Sequence, residues 1–383
     1  MTAGEKIFTA AWEYPPILSG ESVVCRRTLE YSKYHYDVCC APVKAQGDEH
    51  IRIFPVKGNK YLIWPFRVLR QFIRLNQKEH YRIMMSRVMP PNGHLAGWLI
   101  KMFHPKIRWI VYFSDPVWNS PFLKFSLRKS PDHRPNWLLM KIFGIPAKWA
   151  VRRGDLLVFN NERLARFVLG MQYDRYAEKV LIVSYGHEGV RPTPAAKRND
   201  GKFRLTHVGQ IYGNRTFADL IAAAEQLLNS NPELFEKLEI RQVGFVCEAE
   251  RNRIKASPAG SIFTLAGQVS YEQSIAEMYN SDCLLVIDPV FDDPKKNLYV
   301  PGKIYDYMST GRPILCIADK DSATGDIASA ANGAIYLAPP QKVYEYLKIC
   351  LSGLSPVGES RYEQFHCRYG VDKLDQKIES IMT

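Results

Sequence analysis

The sequence has no paired-cysteine motif, no long apolar run and no internal repeat, and each absence removes a class of protein. Its eight cysteines show no C-x-x-C spacing and lie mostly within apolar segments, which argues against a disulfide framework or zinc site and favours a reducing compartment. No segment approaches the roughly 18 apolar residues that span a bilayer. The opening stretch MTAGEKIFTAAW lacks the basic start and apolar core of a secretory signal. We therefore expect a cytoplasmic protein.

Acidic residues are scarce in the first half of the chain. Residues 1–180 contain 29 Lys and Arg against 14 Asp and Glu, whereas residues 181–383 contain 22 against 25. Apolar content of 46% and charged content of 23% are typical of a soluble globular protein, and 383 residues suffice for two domains. The uneven charge indicates that the first half meets a polyanion or an anionic surface.

Short apolar runs alternate with amphipathic stretches along the chain, which predicts strands and helices in alternation and hence parallel sheets. The Pro-rich, charged stretch EGVRPTPAAKRNDGK breaks this pattern and is the predicted linker. We predict a first domain over residues 1–187, a linker over 188–202, a second domain over 203–358 and a helix within 359–383. Each domain is expected to be an α/β doubly wound sheet that binds ligands at the carboxyl ends of its strands.

The stretch VPGKIYDYMSTGRPIL combines a turn, a short helix and a second break before an apolar strand. Pro and Gly before a helix pre-set its first turn and expose backbone amides, here at Gly302, Lys303 and Ile304, which attract phosphate. Lys303 adds a charge, and Asp306 is placed to accept hydrogen bonds from sugar hydroxyls such as those of a ribose. The alternative is a helix opening with a surface lysine and a solvated aspartate.

This stretch resembles the signature of the group 1 glycosyltransferases, a Pro-Ser-Lys-like turn followed by (F/Y)-E-Y-(L/M)-(A/S)-x-G-(K/R)-P. THVGQIYGNRTFADLIAAAEQL resembles the family's VGRL…KG…LIxA segment, and LAGQVSYEQSIAEMYNSDCLLVID resembles its G-x-V…L…Y…AD-x-x-L segment. The resemblance covers most of residues 203–340. It implies the GT-B fold, two Rossmann-like domains that face each other across a cleft, with a carboxyl-terminal helix that crosses back to the first domain. It also implies a nucleotide diphosphate sugar as donor substrate.

The resemblance places the donor site in the second domain. The family holds the donor diphosphate with an Arg directly after a turn glycine and a Lys five residues on, and a later loop packs against the base. The matching residues here are Gly209, Gln210, Arg215, Val269 and Ser270, together with Gly302, Lys303, Ile304 and Asp306. Many members carry a glutamate eight residues before the acidic position that Asp306 occupies, and this sequence has Leu298 there.

The first domain matches the family more loosely. WEYPPILSG resembles the first strand and loop, in which only Gly20 of the usual glycine pair is present. WIVYFSDPVWNSP resembles the H-D-x-W region that meets the donor sugar, and Ser114 occupies the place of the histidine. His187 and Glu188 stand where the family has an Asn-Gly turn. The resemblance makes these residues candidates for contact with donor sugar or acceptor.

An inverting transfer requires a first-domain base that removes the acceptor proton, and Asp115 is our first candidate and Glu13 our second. Asp115 is alternatively a helix N-cap. His94 is a substrate candidate, with a cap or core histidine as its alternative. No D-x-D-type motif flanks a strand end, and we interpret FDDP as a solvated loop pair. Because cations already face the leaving diphosphate, no metal or other cofactor is expected.

Two segments combine apolar residues at helical spacing with cations, YLIWPFRVLRQFIRLNQK and NWLLMKIFGIPAKWAVRR. The cations of interest are Arg67, Arg70, Arg74, Lys141 and Lys148. Basic amphipathic helices of this kind suit an anionic bilayer interface, and the alternative is that they are ordinary helices packed on the sheet. We predict peripheral association with the inner face of the cell membrane.

These observations predict a glycosyltransferase that moves a sugar from a nucleotide diphosphate sugar to a cell-surface polysaccharide, a lipopolysaccharide or a polyprenyl-linked oligosaccharide. The alternative is a catalytically inactive nucleotide-binding or scaffold protein on the same fold. A nucleic-acid binder is not favoured, because the basic half lacks interleaved aromatic platforms on a recognisable module.

Overall fold

A computed structural model describes residues 5–17, 19–44, 46–59, 62–88, 92–117, 134–189, 200–353 and 362–383, without the side chains of 134–143 and 340. The chain divides into two compact units. Unit 1 comprises Met1–Glu188 and Phe365–Thr383, and unit 2 comprises Gly189–Gln364. The greater part of the predicted linker, residues 190–199, lies outside the described residues.

Unit 1 is built on a parallel sheet of seven strands within the described residues. The strands are β1 (Lys6–Ala10), β2 (His35–Cys40), β3 (Ile51–Pro55), β4 (Ile83–Arg87), β5 (Arg108–Phe113), β6 (Leu156–Phe159) and β7 (Val180–Ile182). Their order is β3-β2-β1-β4-β5-β6-β7. The order reverses between β1 and β4, and such a switch point opens a crevice at the carboxyl ends of the strands.

Six α-helices connect these strands in the described part of the chain. They are α1 (Gly20–Glu30), α2 (Trp64–Glu79), α3 (Asn92–Phe103), α4 (Arg134–Arg153), α5 (Glu162–Leu169) and α6 (Tyr173–Tyr176). The start of α1 follows from its cap, since the Ser19 side chain accepts a hydrogen bond from the amide of Ser22 at 3.0 Å.

Unit 2 repeats the plan with a six-stranded parallel sheet in its described part. The strands are β8 (Phe203–Val208), β9 (Leu238–Val243), β10 (Phe263–Gly267), β11 (Cys283–Ile287), β12 (Ile314–Ile317) and β13 (Ile335–Ala338), in the order β10-β9-β8-β11-β12-β13. The helices are α7 (Ala218–Ser230), α8 (Pro232–Lys237), α9 (Glu248–Ala256), α10 (Tyr271–Tyr279), α11 (Lys303–Met308), α12 (Ala323–Ala330) and α13 (Val343–Leu351). The switch point lies between β8 and β11.

The central strands are buried on both faces, and their sequences show it. β11 reads CLLVI with every residue buried, as is typical of a parallel sheet covered by helices on both sides. The eight cysteines are free thiols, and seven of them are buried. They act as small apolar core residues, as their apolar surroundings in the sequence predict.

The last helix, α14 (Cys367–Met382), belongs to unit 1 although unit 2 precedes it in the chain. Leu374 and Ile378 are fully buried in the core that includes Cys25 and Leu29 of α1. The buried carboxylate of Asp375 accepts hydrogen bonds from the Ser32 hydroxyl at 2.7 Å and the Lys33 amide at 2.9 Å. The packing of α14 therefore completes the core of unit 1.

Truncation of Leu374 tests this packing. Leu374→Ala removes a fully buried side chain, so we expect the free energy of unfolding to fall by about 2–5 kcal/mol in urea titrations followed by circular dichroism. Tyr369→Ala on the same helix is the control. Because Tyr369 is exposed, this substitution should change the free energy of unfolding by less than about 0.5 kcal/mol. Equal losses for the two variants would contradict the assignment of α14 to the core.

Candidate functional site

The carboxyl ends of β8 and β9 carry matching sequences, T-H-V-G and R-Q-V-G, in direct register. His207 pairs with Gln242 across the two strands. Gly209 (φ +131°) and Gly244 (φ +118°) follow with backbone that favours glycine. A Cβ on Gly244 would lie 2.4 Å from the carbonyl oxygen of Gly209. The two turns therefore approach each other so closely that Gly244 admits no side chain.

A chain of hydrogen bonds runs through this edge of the sheet. The Gln242 amide Nε2 donates to the Gly209 carbonyl at 2.7 Å, and Gln242 Oε1 lies 2.6 Å from His207 Nδ1. His207 Nε2 in turn contacts the ammonium of Lys303. Lys303 Nζ would lie 3.0 Å from a Cβ placed on Gly209. The structure thus brings the predicted Lys303 to the predicted turn glycine.

Three charged side chains interact at this point. Burial and the nearby Arg215 lower the pKa of Lys303 well below its ordinary value, while Asp288 opposes this effect. Burial raises the pKa of Asp288 to about 6, although Thr324 and Ser322 donate hydrogen bonds to its carboxylate at 2.6 and 3.1 Å. Arg215 is half-buried, and its Nε has no hydrogen-bond partner in the structure. The cluster presents two cations to any anion that binds beside Gly209.

The short helix α11 is tied to the end of β8 by Tyr307. Its buried hydroxyl accepts from the Val208 amide at 2.8 Å and lies 3.3 Å from the Val208 carbonyl. The Ile304 amide donates to the Pro301 carbonyl at 3.0 Å, so it is engaged within the turn. The role of the Ile304 amide in phosphate binding stays a prediction, and a bound phosphate would have to share this amide with the Pro301 carbonyl.

The other predicted donor residues lie directly after Gly209, on α11 and at the start of α10. Gln210 is exposed directly after Gly209, and Asp306 is half-buried on α11. Ser270 caps α10, since its hydroxyl accepts from the Gln273 amide at 3.2 Å and its amide donates to the Gln273 side chain at 2.9 Å. Val269 is half-buried beside it. Capping accounts for Ser270 without a ligand.

A cavity of about 130 Å³ lies beside Asp288 in unit 2. Its polar lining consists of Thr216, Asp219, Asp288, Asn297, Asp319 and Ser322. Across the described residues no group of three or more His, Cys, Asp or Glu side chains is arranged to hold a metal ion. In the FDDP segment, Asp293 accepts from the Lys295 amide at 3.1 Å and caps a single turn, as a loop residue does.

Unit 1 has its own polar cluster at the carboxyl ends of β1, β4 and β5. Arg87, almost completely buried at the end of β4, donates from Nε to Glu21 at 2.6 Å and stacks 3.9 Å from the Tyr112 ring centre. Burial, together with the charges of Glu21 and Glu13, raises the pKa of Asp115 to about 8. The structure therefore brings the two predicted base candidates, Asp115 and Glu13, close enough to interact.

The remaining candidates of unit 1 have structural explanations. The Glu188 carboxylate pairs with Arg26 at 3.0 Å and Arg27 at 3.2 Å. The backbone of His187 forms a parallel bridge with that of His366. His94 is buried with its Nδ1 at 2.9 Å from the Ser86 hydroxyl, and burial lowers its pKa to about 3. It is a core histidine, the alternative that the sequence left open.

Ser114 and Gly20 lie at the same edge of the sheet as Asp115. The Ser114 carbonyl accepts from Asn160 Nδ2 at 3.0 Å, while its buried hydroxyl has no partner in the structure. Gly20 is the first residue of α1, and a Cβ there would meet no atom within 4 Å. Space for a ligand therefore remains beside Gly20.

Helix α2 has two apolar faces. Trp64, Val68 and Phe72 are buried against unit 1. The predicted stripe consists of Leu62, Phe66, Leu69 and Ile73; Leu62, just before the helix, Phe66 and Ile73 are 68%, 57% and 42% exposed, and Leu69 is half-buried. Arg67, Arg70 and Arg74 lie exposed on the same side as Phe66 and Ile73. Lys148 of α4 is also exposed, and the side chain of Lys141 lies outside the described residues. The predicted stripe therefore faces away from the sheet.

Sequence reasoning missed several residues of both clusters. They are His207, Gln242, Asp288 and Tyr307 in unit 2 and Glu21 and Arg87 in unit 1. The signal for His207 and Gln242 was present, because each is a polar residue in an apolar strand directly before Val-Gly. Arg87 is likewise a charged residue at the end of an apolar strand, IMMSR. Polar residues at the ends of buried strands are the general clue.

Two Rossmann-like parallel-sheet units in one chain define the GT-B fold, and comparison with solved structures confirms it. No protein-family model matches the sequence, and no curated protein matches it.

Three solved structures illustrate the likeness. The lipopolysaccharide outer core galactosyltransferase WaaB, in its apo form, is 12% identical with a TM-score of 0.62, covering 98% of this chain and 99% of its own. The UDP-forming α,α-trehalose-phosphate synthase of Burkholderia xenovorans, in complex with glucose-6-phosphate, is 11% identical with a TM-score of 0.64, covering 99% and 100%. A UDP-N-acetylglucosamine 2-epimerase is 11% identical with a TM-score of 0.55, covering 98% and 95%.

The ionisation of Asp115 provides a test of the unit 1 cluster. Carbon-detected NMR of the Asp115 carboxyl should show titration near pH 8, and Glu21→Gln should lower that pKa because it removes a like charge and leaves Arg87 without its partner. Glu30→Gln is the control, since Glu30 pairs with Arg26 and should leave Asp115 unchanged. Titration of Asp115 near pH 4 in the unaltered protein would refute the arrangement.

Proposed function

We propose that the protein is a glycosyltransferase that moves a sugar from a nucleotide diphosphate sugar to a glycan or polyprenyl-linked acceptor. The observation that carries this proposal is the Lys303 ammonium beside the Gly209 turn at the switch point of unit 2, with Arg215 close enough for its charge to act on that lysine. Preorganised cations stabilise the charge that builds on a leaving diphosphate. Two of the structural neighbours are named for reactions of uridine diphosphate compounds, which supports this class of donor.

Each unit has a part in the proposed reaction. Unit 2 binds the donor, with Arg215 and Lys303 on the diphosphate and Asp306 on the ribose hydroxyls. Unit 1 binds the acceptor. In an inverting transfer, Asp115 takes the proton of the acceptor hydroxyl, whose oxygen bonds to the anomeric carbon while the bond to the diphosphate oxygen breaks and leaves its electron pair there. Burial raises the pKa of Asp115, which makes its carboxylate a stronger base once it is ionised.

The catalytically inactive nucleotide-binding protein remains the alternative function. It is favoured by Leu298, which is only 4% exposed and thus packs in the interior where many group 1 enzymes carry a glutamate. Release of nucleotide from a panel of nucleotide sugars, measured with and without glycan acceptors, separates the two. Acceptor-dependent release supports the transferase, and tight donor binding without turnover on any acceptor supports the inactive protein.

Substitution of the two cations tests the donor site. Lys303→Ala and Arg215→Ala should each weaken UDP binding about 10- to 100-fold in calorimetry, because each removes a charged hydrogen-bond donor to phosphate. Uridine binding should not change. Lys295→Ala is the matched control on an exposed loop. Equal losses for UDP and uridine would show that these residues do not bind the diphosphate.

We further propose that unit 1 associates with an anionic membrane surface through α2. Among the described helices, none has the length and hydropathy needed to cross a bilayer. The exposed Leu62, Phe66 and Ile73 beside a row of arginines instead suit a helix that lies in the interface plane. Each cation near an anionic surface adds about 1 kcal/mol of attraction.

Charge reversal tests the membrane proposal. The triple variant Arg67→Glu, Arg70→Glu and Arg74→Glu should abolish cosedimentation with phosphatidylglycerol vesicles while UDP affinity stays unchanged. The triple variant Lys255→Glu, Lys295→Glu and Lys296→Glu carries the same charge change on unit 2 and should retain binding. Vesicle binding that persists in the first variant, or is lost equally in both, would refute the assignment to α2.

A further inference from the structure

We propose that His207 and Gln242 are positioning residues that hold the Lys303 ammonium beside the Gly209 turn, where it meets the donor diphosphate. This inference rests on the proposed function for its ligand, but its geometry is independent of the sugar and the acceptor. Neither residue is one of the family's signature positions in the segments that identified Lys303, and both are completely buried.

The hydrogen-bond chain permits one assignment of donors and acceptors. Gln242 must turn its amide nitrogen to the Gly209 carbonyl, 2.7 Å away, since an oxygen there would face another oxygen. Its Oε1 therefore faces His207 Nδ1 at 2.6 Å and accepts from it. The proton lies on Nδ1, so Nε2 offers its lone pair to the Lys303 ammonium. The tautomer of His207 is thus set by the Gly209 turn itself.

The elements that carry these residues are locked together. His207 and Gln242 are register partners on β8 and β9, so they share one face of the sheet. Tyr307 of α11 accepts from the Val208 amide at 2.8 Å, which ties the helix of Lys303 to the residue after His207. The lysine is therefore fixed from both ends, at its backbone by Tyr307 and at its ammonium by His207.

The neutral imidazole matters because it orients the lysine without cancelling its charge. A carboxylate partner would offset the charge of the ammonium, whereas the neutral His207 adds no opposite charge and leaves two N–H groups of Lys303 for phosphate oxygens. Burial and the charge of Lys303 keep the pKa of His207 well below its ordinary value, so the ring remains neutral. Asp288, the nearby carboxylate, is hydrogen-bonded by Thr324 and Asn297 instead.

Two amide variants separate the functions of the two ring nitrogens. His207→Gln places an oxygen near the Nε2 position and retains an acceptor for Lys303. His207→Asn retains a donor near the Nδ1 position for Gln242 but loses the acceptor for Lys303. A merely structural role of His207 would make the two variants similar, since both bury one amide in place of the ring.

The experiment measures inorganic pyrophosphate binding by calorimetry for both variants, with and without Lys303→Ala. We expect His207→Asn to weaken binding about 10-fold and His207→Gln by less than about 3-fold. In the Lys303→Ala background, His207→Asn should change binding by less than about 2-fold, because it acts through the lysine. Equal losses for the two variants, or the same loss without Lys303, would overturn the proposal.

A measurement on the unaltered protein without ligand tests the proposal even if the variants fail to fold. Nitrogen-15 NMR of the imidazole groups of the unaltered protein should show His207 protonated at Nδ1 and unprotonated at Nε2. The opposite tautomer would overturn the proposal. If pyrophosphate binding by the His207 variants follows the expected pattern but no sugar is transferred, the proposed enzymatic function fails and the positioning role stands. If sugar is transferred but His207→Asn binds pyrophosphate normally, only the positioning role fails.

Discussion

A lysine ammonium attracts an anionic ligand more strongly when the groups that hold it leave its charge uncancelled. At the edge of the unit 2 sheet this constraint is met by an imidazole, and a series of features supports that contact. The register of β8 against β9 sets Gln242 beside His207, and the tight Gly244 turn lets Gly209 come close enough to accept from Gln242. Tyr307 fixes the helix that bears the lysine. The donor site that we propose depends on all of them.

The two units hold their buried cationic side chains with different kinds of partner. In unit 2 the ammonium of Lys303 is held by the neutral imidazole of His207. In unit 1 the buried guanidinium of Arg87 is paired with Glu21 and stacked on Tyr112, so its charge is largely compensated. The charges of Glu21 and Glu13 both disfavour the ionised form of Asp115. One edge therefore holds a cation against a neutral partner, and the other raises the pKa of a carboxyl.

The strands and the fold were predictable because parallel sheets leave a strong pattern of apolar runs between amphipathic segments. Lys303, Gly209 and Arg215 were predictable because they lie in segments that resemble the group 1 glycosyltransferase signatures and follow one another in the same order. His207 and Gln242 were not, because their meeting depends on the register between strands 35 residues apart, which no local pattern encodes. The helix α2 shows a related limit, since its sequence holds one apolar stripe for the core and another for the exterior, and periodicity alone does not say which faces inward.

The return of α14 to unit 1 has a consequence for biosynthesis. As the nascent chain leaves the ribosome, unit 1 emerges first but lacks Leu374 and Ile378, which fill its core. The whole of unit 2 must be made before those residues arrive. Unit 2 can therefore complete its hydrophobic core before unit 1 does, although unit 1 is synthesised first. The core of unit 1 remains incomplete until α14, the last helix, has been synthesised.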